Sequence, residues 1–269
     1  MNELENTGER ISGKNFESKS EYILFLKHLF AYEFAQKNIS EHSAILEIGC
    51  GEGYGTNLLS KKFMITGLDI YEQVINHASE KYGSATCKFL LFNGEKIPYP
   101  ANTFDAVVSF QVIEHIKDDI NFVSEVFRVL KRKGVFLITT PNRHYRLKPG
   151  QKPWNRFHER EYDSQDFFNV LNSKFCDITI CGIRGTDEVQ NIEIDRVQSS
   201  FLHKFDTFSI RRFVPFPLKK SLNKFIKKMS LRPTTNVDKK FIRKFTSNDF
   251  YIINNNLTES LDLLGICKK

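Results

Sequence analysis

The chain has 269 residues, of which 41% are hydrophobic and 26% are charged. This composition suits a globular protein with a full core and excludes collagen-like and wholly disordered classes. No apolar run approaches the roughly 20 residues that a membrane crossing requires. The polar, acidic beginning MNELENTGER lacks the cationic and apolar regions of a secretory signal, so we expect a cytoplasmic protein. The five cysteines form no C-x-x-C pair, which argues against a disulfide framework and a structural zinc site.

The net charge of +7 is concentrated in one segment near the C-terminus. Residues 204–244 contain 13 Lys and Arg against two acids, a local net charge of +11, so the rest of the chain has −4. Apolar positions within this segment recur at helical spacing, which predicts a basic helix. Three uses of the segment stay open: a lid over a site, a contact with the inner face of an anionic membrane, and, less favoured, an RNA-binding surface.

Strands and helices alternate along most of the chain. The predicted helices are Ser18–Lys37, Tyr54–Lys62, Tyr71–Tyr82, Asp118–Arg132, Asp163–Asn172 and Leu257–Leu264. The predicted strands are Ala44–Gly49, Met64–Asp69, Cys87–Phe92, Phe104–Phe110, Gly134–Thr140, Phe175–Ile183 and Phe250–Asn254. This alternation predicts an α/β fold, a Rossmann-like doubly wound sheet of about seven strands with helices on both faces.

The pattern also divides the chain into four parts. Residues 1–40 form an N-terminal cap helix, and residues 41–184 form the Rossmann-like domain. Residues 185–245 are a basic helical insertion or lid, and residues 246–269 supply the final strand and helix of the core. The long loop from Arg143 to Arg160 has the profile of a second lid, because it contains Pro and Gly and exceeds an ordinary connection.

A glycine-rich turn follows the first predicted strand. Gly49, Gly51 and Gly53 permit a tight turn and a close approach of a ligand to the backbone, at the sheet edge where open α/β folds bind ligands. Asp69 ends the second predicted strand, where a carboxylate can accept hydrogen bonds from ribose hydroxyls or cap the following helix. A dinucleotide-binding protein would use the same glycines to hold a pyrophosphate.

Longer stretches of the sequence resemble class I S-adenosylmethionine-dependent methyltransferases of the type 11 kind over roughly residues 40–145. The stretches are ILEIGCGEGYGT, GLDI, FNGEKIPYPANTFDAVVSFQVIEHI and EVFRVLKRKGVFLITTPN. Gly8–Arg10, His28–Tyr32 and Asn155–Tyr162 further resemble a bacterial subgroup associated with glycosyltransferase and polysaccharide genes. The resemblance implies S-adenosylmethionine as the cofactor and S-adenosylhomocysteine as its product.

The resemblance also implies a donor-binding set. Its members are Glu47, Gly49, Gly51, Asp69, Ile70, Asn93, Gly94, Glu95 and Gln111. The residues Glu47 to Gly51 would line the methionine portion, Asp69 would take the ribose, Asn93–Glu95 would lie beside adenine, and Gln111 would lie near the sulfonium. The family commonly has Asp where this chain has Asn93, and Asn can accept through its carbonyl oxygen. The acid Glu47 suits a cationic ligand and would repel a pyrophosphate.

Methyl transfer from a sulfonium requires alignment and a group that removes the proton of the acceptor. The candidates are Glu114, His115 and His158, whose segments both open toward the same sheet edge. We expect His158 to be the general base, since a neutral imidazole accepts a hydroxyl proton near pH 7. The alternative is that Glu114 and His115 only cap or orient the next helix.

The same three residues also resemble a metal site. An E-x-x-E-H sequence with a later His is the metal-binding set of small-RNA 3′-end methyltransferases and of ubiquinone-pathway O-methyltransferases. Gln111 replaces the first glutamate here, and the loss of one anionic ligand weakens the case for a divalent cation. Metal-free transfer is therefore favoured.

The sequence thus predicts an S-adenosylmethionine-dependent O-methyltransferase. Its acceptor would be a small molecule or glycan with a hydroxyl group, such as a sugar, a nucleotide sugar or a lipid-linked glycan. The alternatives are an RNA methyltransferase and a catalytically idle scaffold that binds the donor. Oligomeric state has no signature in the sequence.

Overall fold

The computed structural model describes residues 16, 18–147, 151–153, 155, 157–198, 237 and 239–269. The predictions that concern Gly8–Arg10, Arg156 and most of segment 204–244 lie outside these residues. The helices are α1 (Lys19–Asn38), α2 (Tyr54–Leu59), α3 (Glu72–Tyr82), α4 (Asp119–Val129), α5 (Arg143–Arg146), α6 (Ser164–Leu171), α7 (Asp187–Gln198) and α8 (Lys239–Lys244). The strands are β1 (Ala44–Ile48), β2 (Met64–Asp69), β3 (Cys87–Leu91), β4 (Phe104–Phe110), β5 (Leu130–Pro141), β6 (Asp177–Gly185), β7 (Phe250–Ile253) and β8 (Asp262–Lys268).

In the described part of the chain, the eight strands form one sheet in the order β3-β2-β1-β4-β5-β8-β6-β7. The pairs from β3 to β5 are parallel, and β8 pairs antiparallel with both β5 and β6. The chain runs outward from β1 to β3 and then crosses back to β4 on the other side of β1. The gap between β1 and β4 is therefore the topological switch point, where the carboxyl ends of the strands leave a crevice.

The core lies on both faces of the sheet because its central strands are apolar throughout. In β4, Val107 packs on the face that is covered by α4 and α6, whereas Ala106 and Val108 pack on the face covered by α1, α2 and α3. Burial on both faces is typical of parallel sheets with helical crossovers. The predicted Rossmann-like doubly wound fold is confirmed.

Side chains cap the first turns of α1 and α6. Asp163 accepts a hydrogen bond from the backbone N–H of Asp166 at the start of α6, and Ser18 accepts from Glu21 N at the start of α1. Each bond satisfies a backbone donor that has no partner within the helix. These caps fix where α1 and α6 begin.

The last element differs from the prediction. Leu257–Leu264 is not a helix: a short 3₁₀ turn at Leu257–Glu259 leads into β8, which lies between β5 and β6. An apolar run that is buried on both faces has no alternation, so its period does not distinguish a strand from a helix. The sequence predicts seven strands, and β8 is the eighth strand of the described sheet. Similarly, β5 begins at Leu130, whereas the sequence predicts a helix that continues to Arg132.

Among the helices that the structure describes, none has both the length and the apolar character needed to cross a membrane.

Helix α1 packs against α2 at a position where only glycine fits. A Cβ added to Gly55 would lie 1.9 Å from Cζ of the buried Tyr32. The higher helix propensity of alanine is worth about 1 kcal/mol, whereas forced overpacking costs about 1–3 kcal/mol. We therefore expect Gly55→Ala to lower the free energy of unfolding in urea. Asn57→Ala in the same helix is the control, and equal stabilisation by both variants would contradict the packing argument.

Candidate functional site

A cavity of about 380 Å³ opens at the carboxyl ends of β1, β2 and β4, beside α1. Of the predicted site residues, those that line it are Gly49, Gly51, Asp69, Ile70, Gly94, Gln111 and His115. Those that do not line it are Glu47, Asn93, Glu95, Glu114 and His158. The described lining includes two carboxylates, from Glu52 and Asp69, and no Lys or Arg. The part of the wall that the structure describes therefore has no fixed positive charge to attract a phosphate.

The glycine turn adopts the backbone conformation that its sequence requires. Gly49, Gly51 and Gly53 have φ angles of +79°, +51° and +80°, in the left-handed region that favours glycine. A Cβ at Gly49 would lie 2.3 Å from Val112 Cγ2, while a Cβ at Gly51 would meet no atom within 4 Å. Gly49 is thus required by packing, and Gly51 leaves open space beside the cavity.

Asp69 joins the two loops that form the floor of the cavity. Its Oδ2 accepts from Gly51 N at 3.0 Å, and its Oδ1 accepts from Tyr71 N at 3.1 Å. Each carboxylate oxygen can accept a further hydrogen bond. The carboxylate is therefore held in place and can still accept hydrogen bonds from a diol.

Glu47 is buried behind the cavity wall. Tyr32 Oη and Thr56 Oγ1 each donate to one of its carboxylate oxygens at 2.6 Å. Burial raises the pKa of Glu47 to about 7, although the two hydrogen bonds act in the opposite direction. Tyr32 itself lines the cavity, so Glu47 acts on the site through that ring.

The turn after β3 approaches the cavity through its glycine. Asn93 Oδ1 accepts from the backbone N–H of Glu95 at 3.0 Å and of Lys96 at 3.3 Å, which engages the oxygen expected to face adenine. Gly94, with a φ of +84°, lies at the cavity together with Ile70 and Tyr71. In this structure Asn93 shapes the turn that presents Gly94.

The two histidine segments come together at the opposite end of the cavity. The rings of His115 and His158 lie 4.6 Å apart in an edge-to-face arrangement. His115 Nδ1 lies 2.9 Å from the carbonyl oxygen of Phe157, which can only accept, so in the neutral ring Nδ1 bears the proton. His158 is buried, and its Nδ1 lies 3.1 Å from Glu161 Oε1. His115 faces the cavity, and His158 lies behind it.

These histidines and Glu114 are the group of described residues that could hold a metal ion. One ligand atom from each lies within 4.8 Å of the others. Glu114 Oε2 accepts from Thr140 Oγ1 at 3.1 Å, and the carboxylate of Glu161 orients His158 as outer-shell carboxylates orient metal-bound histidines. The donor set fits a three-ligand site for a divalent ion, and the metal-free transfer favoured by the sequence stays a prediction.

Sequence reasoning missed several aromatic residues of the wall. Phe92 and Phe110 lie at the carboxyl ends of the third and fourth strands, so their position at the sheet edge was a usable signal. Tyr71 follows Asp69 by two residues and lies at the same edge. Phe157 belongs to the long loop, where no periodicity predicts which side chain turns inward.

Part of the chain is similar in sequence to proteins described as methyltransferases. A family model described as "Methyltransferase domain" matches residues 46–138. A protein of Mycolicibacterium smegmatis, named as a probable S-adenosylmethionine-dependent methyltransferase, is 41% identical over 131 residues, which are 48% of this chain and 50% of that protein. A Mycobacterium tuberculosis protein with the same description is 33% identical over 162 residues, which are 59% of this chain and 58% of that protein. The chain spans about half the length of the curated relatives it matches.

A solved structure shows the same fold. The Thermotoga maritima protein, titled a SAM-dependent methyltransferase and possible histamine N-methyltransferase, superposes with a TM-score of 0.57. The match covers 92% of this chain and 91% of that one at 12% identity. At this identity the likeness concerns the fold alone.

The buried Glu47 generates a prediction about pH. Its pKa is about 7 in the folded protein and 4.5 for an unperturbed glutamate, so the folded state binds more protons between these values and stability falls as pH rises. We expect Glu47→Gln to gain about 2 kcal/mol relative to the parent protein between pH 5 and pH 8. Urea unfolding at both pH values measures the difference, with Glu80→Gln on the exposed face of α3 as the control. Parallel pH profiles for parent and Glu47→Gln would contradict the assignment.

Proposed function

We propose, from the methyltransferase domain that the chain contains at residues 46–138 and the class I methyltransferase fold around it, that the protein is an S-adenosylmethionine-dependent methyltransferase acting on a hydroxyl group. The observation that carries the proposal is the fixed carboxylate of Asp69, which faces a cavity whose glycine turn admits a ligand against the backbone. A second candidate cofactor, a dinucleotide, is disfavoured because the described lining has carboxylates but no Lys or Arg for a pyrophosphate.

The order of the strands suggests how the donor lies. With its ribose diol on Asp69 at β2, the adenine extends toward β3, where Ile70, Tyr71 and Gly94 line the wall. The sulfonium and methionine portion then extends over the glycine turn toward Gln111 at the end of β4. The positive sulfonium suits this acid-lined cavity.

Methyl transfer proceeds by in-line displacement. The acceptor oxygen forms a bond to the methyl carbon, the bond from that carbon to sulfur breaks, and the acceptor loses its proton. We assign proton removal to Nε2 of His115, because the Phe157 carbonyl leaves the proton of the neutral ring on Nδ1 and His115 lines the cavity. His158, the base expected from the sequence, is buried and does not line the cavity, which supports His115 in this role. A divalent ion at Glu114, His115 and His158 would instead polarise the acceptor oxygen.

For the acceptor we propose a hydroxyl of a sugar, a nucleotide sugar or a lipid-linked glycan. The support is the resemblance of His28–Tyr32 and Asn155–Tyr162 to proteins associated with polysaccharide genes. We further propose a cytoplasmic protein whose basic segment 204–244 contacts an anionic membrane face, where lipid-linked acceptors lie. The local charge of +11 also supports RNA as a second acceptor class.

Donor binding is tested by titration calorimetry with S-adenosylhomocysteine. We expect the parent protein to bind it and Asp69→Asn to weaken binding about tenfold or more, because a charged hydrogen-bond acceptor is worth about 1.5–3 kcal/mol. Asp177→Asn, at an exposed position of β6, is the matched control. Equal affinity of Asp69→Asn and the parent would remove Asp69 from the donor site.

Proton transfer is tested with labelled donor and an extract of the source cells. We expect His115→Gln to reduce label transfer about 100-fold or more, within the range for general acid–base catalysis, while S-adenosylhomocysteine affinity stays within a few-fold. His158→Gln should reduce label transfer less than His115→Gln does. A larger reduction for His158→Gln than for His115→Gln would return the role of base to His158.

The same assay separates the acceptor classes and the metal hypothesis. Label in polysaccharide or glycolipid supports the proposed acceptor, whereas label in RNA favours the second class. Activity that survives a chelator rejects a catalytic metal, and activity that a chelator removes and a divalent ion restores supports one.

A further inference from the structure

A buried network of charges lies outside the cavity. Lys27 Nζ on α1 lies 2.7 Å from Asp262 Oδ1 on β8 and 3.4 Å from Glu193 Oε1 on α7, and all three side chains are 3% exposed. Arg196 also donates to Glu193, at 2.7 and 2.8 Å. Buried charges are retained when each has a partner, so this network ties α1 and α7 to the sheet.

One arm of the network reaches the cavity wall. Gln111 Nε2 donates to Asp262 Oδ2 at 3.1 Å and to Thr139 Oγ1 at 3.2 Å. Burial raises the pKa of Asp262, but its Oδ1 is ion-paired with Lys27 Nζ at 2.7 Å, so the carboxylate acts as an acceptor. The amide nitrogen of Gln111 rather than the amide oxygen therefore faces Asp262. The two acceptors engage both N–H groups of the amide. Its oxygen, Oε1, therefore points away from Asp262 and Thr139, neither of which lines the cavity.

The backbone of Gln111 is constrained as well. Its φ is +59°, in the left-handed region that non-glycine residues rarely adopt, and its N–H donates to Thr139 O at 3.0 Å. Such conformations persist where the surroundings over-determine them, often at functional sites. Here β5 and β8 fix a residue at the end of β4, beside the switch point between β1 and β4.

We propose that Asp262 is a positioning residue, which with Thr139 fixes the Gln111 amide so that Oε1 faces the sulfonium of the bound donor. This inference rests on the proposed function and on the donor orientation given above. The partial negative charge of the amide oxygen stabilises the positive sulfonium of S-adenosylmethionine. It does not stabilise the neutral thioether of S-adenosylhomocysteine to a similar degree. The pocket thereby binds S-adenosylmethionine in preference to S-adenosylhomocysteine and releases the product after transfer.

The test compares the affinities of both compounds by titration calorimetry, with their ratio as the readout. Asp262→Asn offers Gln111 a donor as well as an acceptor, and Thr139→Val removes the other acceptor without changing any charge. We expect each of these two variants to bind S-adenosylmethionine about five- to tenfold more weakly than the parent protein, while the affinity for S-adenosylhomocysteine changes less than twofold. Gln111→Gly, which tolerates the positive φ, should show the same loss of preference.

Glu193→Gln is the matched control, because it alters the same buried network through Lys27 but has no contact with Gln111. It should keep the parent ratio. The positioning role would be overturned if Asp262→Asn and Thr139→Val left the ratio of the two affinities unchanged. It would also be overturned if Glu193→Gln lowered that ratio as much as they do. A parent protein that binds neither compound would instead overturn the proposed function, and the inference with it.

Discussion

The site depends on one interaction, the pair of hydrogen bonds by which the Asp69 carboxylate ties the turn after β1 to the chain after β2. Gly51 N and Tyr71 N each donate to a different oxygen, so the carboxylate can neither rotate nor leave the cavity floor without losing a bond. The left-handed glycines and the parallel pairing of β1 with β2 bring the two loops within reach. A ligand with a diol thus meets a charge whose position was fixed on folding, which lowers the entropic cost of binding.

Two neutral side chains of the wall are held in the same way by buried carboxylates. Tyr32 donates to Glu47, and Gln111 donates to Asp262; neither acid lines the cavity. Precise sites require an outer layer of hydrogen bonds that fixes the residues in contact with the ligand. The buried acids are therefore best understood as supports, whereas the carboxylates on the described part of the wall are those of Asp69 and Glu52.

The sequence was sufficient for the fold class and for the glycines and Asp69 at the cavity, because both depend on local patterns. Glu47, Asn93 and Glu95, also predicted for the donor site, do not line the cavity. Alternating strands and helices predict the sheet, and the glycines and Asp69 follow strand ends within 25 residues of one another. The contact of Gln111 with Asp262 joins positions 151 residues apart, and no local pattern indicates it. Which of the two histidines lines the cavity depends on burial, and the loop at Phe157 buries His158 and leaves His115 at the wall. The prediction of a helix at β8 is wrong because burial on both faces removes the alternation of that strand.

The central claim is that a cationic methyl donor binds where β1 and β2 end. A crystal structure of the protein grown with S-adenosylhomocysteine tests it most directly, since the product occupies the same pocket. The account predicts ribose hydroxyls on Asp69, adenine beside Ile70 and Gly94, and the sulfur toward Gln111. An empty pocket under saturating ligand, or one that instead takes a nicotinamide dinucleotide, would contradict it.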